Sequence, residues 1–504
     1  MLHQLINSLS KAEKRNFKLY IQRNSGEKDL KVTELFDAIC QQENYDESRL
    51  LKKLRSVSKS QLANMKSHLY RQVLASLRIL RSGQSVELML NEQLDYARLL
   101  FNKGLYHQSL TILERVKDTA LNYEQNTFII QIISFEKKIE TLYITRSLQN
   151  RADQLSLESK TVNQRRETIT KLSNLSLQLY SWYIKRGHAR NKEDEQEVKR
   201  FFFTELPEKY TTLTGFYERL YIFQAFCWYA YIRQDFRMYY RYTQKWVDLF
   251  EEKPHMLEVE TMHYVKGMHN LLNALFDVRH HKKLNDYIHR FENYARTDPS
   301  QQFENVRIQT FVYLSSAQLN QHILQGRFME GLQLLPDIEQ QLNEYDAYID
   351  KHRILVLNYK IAMMHFGAGN YGKCIDYLQE IIRQPVDLRV DLHCYARLLH
   401  LIAHYELGNT ALVEYLTKSV YRFMAKMQRF SIIEEEIFRF LRQSFHAGKK
   451  EMKKQFALLL NKLLEYENKP SESRTFAYLD IISWLQSKIR ETSMAEVLQS
   501  KITK

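Results

Sequence analysis

The amino-acid sequence predicts an all-α protein, a solenoid of stacked helix hairpins that follows a small basic helical bundle. Only 13 glycines and 6 prolines occur among 504 residues, far below ordinary usage of about 7% and 5%. Sheet proteins need these residues in hairpin turns, so the shortage favours long helices with short connections. A hydrophobic content of 44% with 12% aromatics excludes general disorder. Apolar residues also recur at the three- and four-residue spacing of helices.

The compartment is predicted from features that the sequence lacks. No apolar run reaches the length of about 18 residues that a membrane helix needs, and the segment from Met1 to Lys14 lacks the basic-then-apolar order of a signal peptide. The four cysteines lie far apart without a CxxC motif, as is usual in a reducing compartment. We therefore expect a cytoplasmic protein with no membrane contact, whose cysteines are core residues.

Residues 1–85 are predicted to form the basic N-terminal helical bundle. Up to Ser82 the chain holds 16 lysines and arginines but only 8 acidic residues, whereas the net charge of the whole chain is +14. Ser10 and Glu13 form a capping-box pair that opens one helix, and Leu30 to Gln42 reads as a second. A third follows from the apolar stripe of Leu62, Met65, Leu69, Val73, Leu77 and Leu80.

A basic patch accompanies this third helix, because no acidic residue occurs between Ser48 and Val86. At 100° per residue, Arg71 and Arg78 fall opposite the apolar stripe. Clustered positive charge attracts phosphate backbones or acidic proteins. A nucleic-acid site, a protein site and an ordinary solvated surface all remain open. The patch comprises Arg49, Lys52, Lys53, Arg55, Lys59, Lys66, Arg71, Arg78 and Arg81.

A repeated pattern begins after residue 86. In NKGLYHQSLTILERV, Gly104 ends one helix, and an aromatic residue and then small and large apolar residues mark the next. The same order returns at Gly369 in GAGNYGKCIDYLQEII, and more loosely at Gly326 and Gly408. This pattern resembles the tetratricopeptide repeat (TPR) family of helical hairpins. The resemblance implies antiparallel helix pairs with these four glycines at the turns.

The sequence also departs from that family. The last three of these glycines are spaced more widely along the chain than the family's repeat length of about 34 residues, so the helices should be longer, and Pro336 interrupts a second helix. Between Leu121 and Gln301 we predict helical hairpins without the motif. The predicted regions are 86–190 with the first TPR-like repeat, 191–300 rich in aromatics, 301–470 with further TPR-like repeats, and 471–504 with capping helices.

Two local predictions concern the aromatic-rich region and the C-terminus. A hairpin turn is expected near Gln234, between two helices that pack on two sides, and the charged run Asn191 to Glu197 is expected to be a loop or hinge. After Pro470, Ser471 to Ile489 reads as a helix that caps the array.

The resemblance also implies a partner-binding groove on the exposed faces of the first helices. Aligned on the glycines, its positions in this chain are Arg98, Asn102, Tyr313, Asn320, Tyr359, Met363, Tyr395 and Tyr405. Leu94 and Arg98 stand where the lysine and asparagine that clamp C-terminal carboxylates would begin. An aromatic, extended or helical ligand is therefore favoured, although the tyrosines also suit packing between helices.

Catalytic, metal and cofactor signatures do not outweigh packing explanations. No GxxxxGK[ST], GxGxxG or GxSxG motif occurs. His393, His400 and His404 share one helix face, but a packing role accounts for them better than a metal. The sequence therefore predicts a non-catalytic scaffold or adaptor that binds a protein or peptide without a cofactor. The alternative is a nucleic-acid-associated regulator that uses the basic N-terminal segment.

Overall fold

In the computed structural model, the chain consists of helices joined by short turns. No β-strand occurs among the described residues, which confirms the all-α prediction. These residues are 1–24, 30–54, 58–142, 150–189, 191–297, 300–301, 303–346, 348–386, 389–427, 432–444, 449–466, 476 and 478–502. Within them, no helix is both long and apolar enough to cross a membrane. The chain divides into two compact units, Met1–Val162 and Asn163–Lys504.

The first unit begins with the predicted helical bundle. Its helices are α1 (Leu2–Ser8), α2 (Lys11–Asn24), α3 (Leu30–Cys40), α4 (Glu47–Lys53), α5 (Lys59–Arg81), α6 (Val86–Asn102), α7 (Tyr106–Asn122) and α8 (Asn126–Leu142), and α9 (Arg151–Arg186) contains the boundary between the units.

Local sequence explains where the bundle helices start and which faces they bury. Glu13 accepts a hydrogen bond from the Ser10 backbone N–H at 2.9 Å, which confirms the predicted capping box. Ser58 and Gln61 form a second capping box at the start of α5. The α5 stripe packs onto the bundle core, where Leu62 and Leu69 are buried. The apolar face of α5 therefore lies where the periodicity predicted it.

The second unit consists mainly of consecutive helix pairs. Its helices after α9 are α10 (Lys192–Glu205), α11 (Phe216–Ile232), α12 (Phe236–Glu252), α13 (Thr261–Asp277), α14 (His281–Ala295), α15 (Glu304–Gln325), α16 (Phe328–Leu332), α17 (Leu335–Glu344), α18 (Lys351–Gly367), α19 (Tyr371–Arg383), α20 (Val390–Glu406), α21 (Thr410–Lys426), α22 (Ile432–Ser444), α23 (Lys449–Leu464), α24 (Ile481–Arg490) and α25 (Met494–Ile502).

Hydrogen bonds between neighbouring helix pairs show how far apart in the chain equivalent positions lie. Hydrogen bonds join residues 43 to 47 positions apart, as from Lys283 to Tyr240, from Arg353 to Gln309 and from Asn320 to Asn273. This period exceeds the 34 residues of the family that the sequence resembles, and α11, α12, α13 and α18 each have 17 residues. The predicted longer helices are therefore present, and Pro336 lies in the first turn of α17 after a break in the second helix.

The turns explain why the motif is missing from the middle of the chain. The four predicted glycines end helices with φ between 63° and 79°, a left-handed conformation that costs glycine little. Gln234 and Arg279 adopt the same conformation, with φ of 59° and 52°. The predicted turn near Gln234 is confirmed, and these two hairpins have a residue other than glycine in the left-handed conformation at the turn.

The predicted loop over Asn191 to Glu197 is wrong. Asn191 caps α10 by accepting a hydrogen bond from the Asp194 backbone N–H at 2.8 Å, and the run forms the first turns of that helix. Acidic side chains at Glu193 and Glu195 stabilise a helix N-terminus through the helix dipole. The charged run is therefore a helix start.

The C-terminal segment folds back along the second unit. Part of the predicted helix Ser471 to Ile489 lies outside the described residues, and the observed helix α24 begins at Ile481. Phe476 and Leu479 are nevertheless buried. Helix α25 reaches Gly326, where an added Cβ would lie 2.8 Å from the Ala495 carbonyl oxygen. The segment therefore contacts first helices well before the last hairpin.

Candidate functional site

The second unit contains a cavity of about 730 Å³, a volume typical of ligand sites. Side chains from the end of α9 and from α11, α13, α15, α18 and α20 line it, together with Tyr478. Most of these are the first helices of successive pairs. Because stacked pairs place equivalent helices side by side, residues about 43 positions apart meet on this inner surface.

Aromatic rings form one end of the cavity. The Tyr183 ring lies 5.6 Å from Trp228 and 5.2 Å from Tyr231 between ring centroids. His188 Nδ1 lies 2.7 Å from the Tyr231 carbonyl oxygen, which fixes the imidazole against this cluster. Burial raises the pKa of Tyr231 and of Tyr239 well above the ordinary value. These phenols stay neutral at physiological pH and offer a large apolar surface with polar edges.

Four basic side chains, which we call the basic wall, border the middle of the cavity. They are Lys266 and His269 of α13 and Arg353 and Lys360 of α18. The Tyr313 ring of α15 lies between the two helices and stacks on His269 with centroids 3.9 Å apart. Lys266 Nζ and Arg353 Cζ lie 5.5 Å and 5.3 Å from the centroid of that ring. Two cations, Lys266 and Arg353, therefore share the Tyr313 ring.

The surroundings of the basic wall oppose its charge. Burial lowers the pKa of Lys266 to about 8 and that of Lys360 to about 7. Burial also lowers the pKa of His269 well below its ordinary value, with Lys266 adding to the effect. Asp277 faces Lys360, yet burial raises its pKa to about 7. The side chains are only half-buried because they border the cavity, but few counter-charges lie close enough to offset the effect of burial on the two lysines.

The C-terminal segment also borders the cavity, through Tyr478. Tyr478 donates a hydrogen bond to Asp391 at 2.6 Å and accepts one from Arg389 at 3.1 Å. Arg389 also makes two hydrogen bonds to the Asp391 carboxylate. The Tyr359 hydroxyl donates to the Tyr478 carbonyl oxygen at 2.8 Å. The positive charge of Arg389 and the negative charge of Asp391 therefore offset each other.

The structure places the predicted groove residues in three different surroundings: at the border of the cavity, beneath the C-terminal segment, and on the first unit. Tyr313, Asn320, Tyr359 and Met363 all border the cavity. Tyr395 is 7% exposed and stacks on Tyr478 with centroids 4.5 Å apart.

Tyr405 also packs against the C-terminal segment, with its ring near Trp484 and its hydroxyl 3.4 Å from the Met452 sulfur. The C-terminal segment therefore covers the part of the inner surface that Tyr395 and Tyr405 occupy. Arg98 and Asn102 belong to the first unit, where both are exposed on α6 and Arg98 pairs with Asp95 at 3.0 Å.

The basic patch of the first unit is partly engaged by its own unit. Lys66 pairs with Glu47 at 2.6 Å, Arg81 with Glu13 at 2.7 Å, and Arg78 with Asp95 at 3.4 Å. Arg55 lies outside the described residues. Arg71 and Arg78 are exposed opposite the apolar stripe, as the periodicity predicted. The remaining exposed members are Arg49, Lys52, Lys53 and Lys59.

Sequence reasoning missed the basic wall. The alignment on glycines skipped α13, because Arg279 rather than glycine occupies its turn. A search for a period of about 43 residues would have placed Lys266 and His269 beside the equivalent helix faces of α15 and α18.

The histidine group on α20 does not form a metal site among the described residues, which contain no cluster of three potential ligands. His400 and His404 lie edge to face with ring centroids 4.6 Å apart. No known family model matches the sequence, and no curated protein matches it significantly.

Proposed function

We propose that this protein is a non-catalytic, cytoplasmic scaffold or adaptor whose second unit binds a peptide or short protein segment. The observation that carries the proposal is the cavity of about 730 Å³, bordered by successive first helices. Helical-hairpin arrays of the TPR-like kind use such inner surfaces for extended or helical ligands. The aromatic end supplies apolar contact area, and the basic wall and Asn320 supply hydrogen-bond donors.

Selection from a displayed library of random peptides tests this proposal. Trp228 contributes a half-buried ring to the aromatic end, so Trp228→Ala should weaken the selected peptides by about 30-fold, or about 2 kcal/mol. Tyr415→Ala is the matched control, because Tyr415 is 65% exposed on α21. Thermal unfolding of both variants checks that the second unit remains folded. Peptides that bind the folded Trp228→Ala variant as well as the wild type would contradict the proposal.

A second candidate function is nucleic-acid binding by the first unit. It is favoured by the exposed side chains of Arg49, Lys52, Lys59 and Arg71, which make no ion pair within 4 Å among the described residues. Affinity should fall with salt at a slope of about −0.7 to −0.9 per phosphate contact. Charge reversal at these four positions should abolish retention on nucleic acid at about 50 mM salt. Wild-type protein that is not retained would remove this candidate.

A further inference from the structure

The ammonium group of Lys266 faces the cavity without an acceptor. Among the described residues it makes no hydrogen bond or ion pair, and its contact with the Tyr313 ring at 5.5 Å is a cation–π contact. Asp350 acts on it electrostatically, but that carboxylate is paired with Arg353 at 3.0 Å. A half-buried ammonium group that lacks an acceptor within the protein is incompletely satisfied, so this position is suited to an anion supplied from outside the chain.

The charges around the middle of the cavity do not balance. Apart from the paired Arg389 and Asp391, the basic side chains among the described residues that line the cavity include Lys185, Lys266, Arg353 and Lys360, whereas the acidic ones are Asp277 and Asp350. Lys360 donates hydrogen bonds to the side chain and the carbonyl oxygen of Ser316, which holds its ammonium group on the α15 side.

The remaining polar groups suit the same ligand chemistry. The Tyr313 hydroxyl accepts a hydrogen bond from Arg353 at 3.1 Å, which keeps the guanidinium group beside the Tyr313 ring. Guanidinium and ammonium groups are the usual protein ligands of carboxylate and phosphate. The aromatic end borders the same cavity and has room for an apolar or aromatic group.

We propose that the basic wall binds an oxyanion, a carboxylate or a phosphate group, carried by a ligand whose aromatic or apolar part occupies the aromatic end. The inference rests on the proposed function and specifies its ligand as an anionic peptide. Lys266 of α13 and Arg353 of α18, which both lie against the Tyr313 ring, bind the anion. The anion completes the charge balance that the chain leaves open.

Protection of lysine amines from acetylation tests the inference. The full-length protein is treated briefly with acetic anhydride at pH 7.5, and the modified lysines are quantified by mass spectrometry. Three matched probes are added: benzoate, phenyl phosphate and the neutral benzamide. We expect one of the two anions to slow acetylation of Lys266 at least threefold, while benzamide has no effect. The exposed Lys282 serves as the internal control.

The two anions distinguish the source of the charge, since the one that protects at lower concentration identifies the group in the natural ligand. In Arg353→Met, protection of Lys266 should be lost although acetylation of Lys282 is unchanged. Equal protection by benzamide, or none by either anion, would overturn the inference.

The failures of the two proposals are distinguishable. Anion protection in a protein that selects no peptide would contradict the peptide proposal alone. Selected peptides that bind the wild type and Lys266→Met equally would contradict the anion site alone.

Discussion

Two regions of the molecule bury charge in opposite ways. In the first unit, Glu136 is fully buried between Lys117 and Arg151, with Arg151 at 3.0 Å, and Glu158 pairs with Lys117 at 2.9 Å. In the second unit, the ammonium group of Lys266 borders a cavity without such a partner among the described residues.

Burial raises the pKa of Glu136, and Lys117 and Arg151 oppose that rise. Burial lowers the pKa of Lys266 to about 8, and the nearby charge of Arg353 adds to the fall. A buried charge with a structural role, such as Glu136, is enclosed by its partners, whereas a charge that borders a cavity without a partner, such as Lys266, indicates a ligand from outside the chain.

The largest expected effect comes from breaking the enclosed cluster. Glu136→Ala leaves Lys117, whose side chain is 11% exposed, and Arg151 without their shared carboxylate. We expect a loss of about 3 kcal/mol in the stability of α7 and α8. Amide hydrogen exchange in these two helices measures it locally, which matters because the two units need not unfold together. The control is Asp118→Ala at an exposed position of α7. If Glu136→Ala costs less than about 1 kcal/mol, the cluster contributes no more than a surface ion pair.

The opposite sign is expected at Lys266. Its folded pKa of about 8 lies below the unfolded value of 10.5, so the fold loses stability as the pH falls from about 10.5 to 8, and the full penalty is present below 8. Lys266→Met should therefore stabilise the second unit by about 2 kcal/mol at pH 6.5, and the gain should fade towards pH 10. Arg353 and Asp350 face Lys266 and remain in both proteins. Urea denaturation at the two pH values measures the difference, with Lys282→Met as the control.

If Lys266→Met is less stable than the wild type at pH 6.5, the chain itself satisfies this ammonium group, and the contrast with Glu136 is wrong. An anion that stabilises the wild type but not the variant would support an external partner for Lys266.

The smallest effect is expected at the half-buried pair of Glu13 and Arg81, whose side chains are 14% and 28% exposed. Burial raises the pKa of Glu13, but hydrogen bonds from Arg81 and Ser10 outweigh burial and leave it below the ordinary value. The pair therefore stabilises the fold above that ordinary value and loses its contribution as the pH falls through the lowered pKa.

Glu13→Gln should cost about 1 kcal/mol at pH 7 and less at low pH. Hydrogen exchange in α2 and α5 measures the change. Asp37→Asn, in the more exposed pair with Lys18, should cost less than about 0.5 kcal/mol. Equal costs for the two variants would show that the stability contribution of these ion pairs does not depend on how exposed they are.

Several features were predictable because they depend on neighbours within one or two helical turns. The low glycine and proline content, the Ser10 and Glu13 capping box and the α5 stripe are of this kind. Four groove positions, Tyr313, Asn320, Tyr359 and Met363, were placed on the inner surface by a local glycine alignment. The alignment had no means of recognising that Tyr478, which follows Tyr395 only after α21, α22 and α23, stacks on that tyrosine.

The sequence by itself determined the fold class, the turns at glycines and the basic character of the first unit, because helix formation follows local spacing and charge follows composition. Only the tertiary structure decided that Lys266 and Arg353 lie against the same Tyr313 ring and that the C-terminal segment covers part of the inner surface. An unpaired charge is defined by everything around it, and those surroundings come from helices that are far apart in the chain.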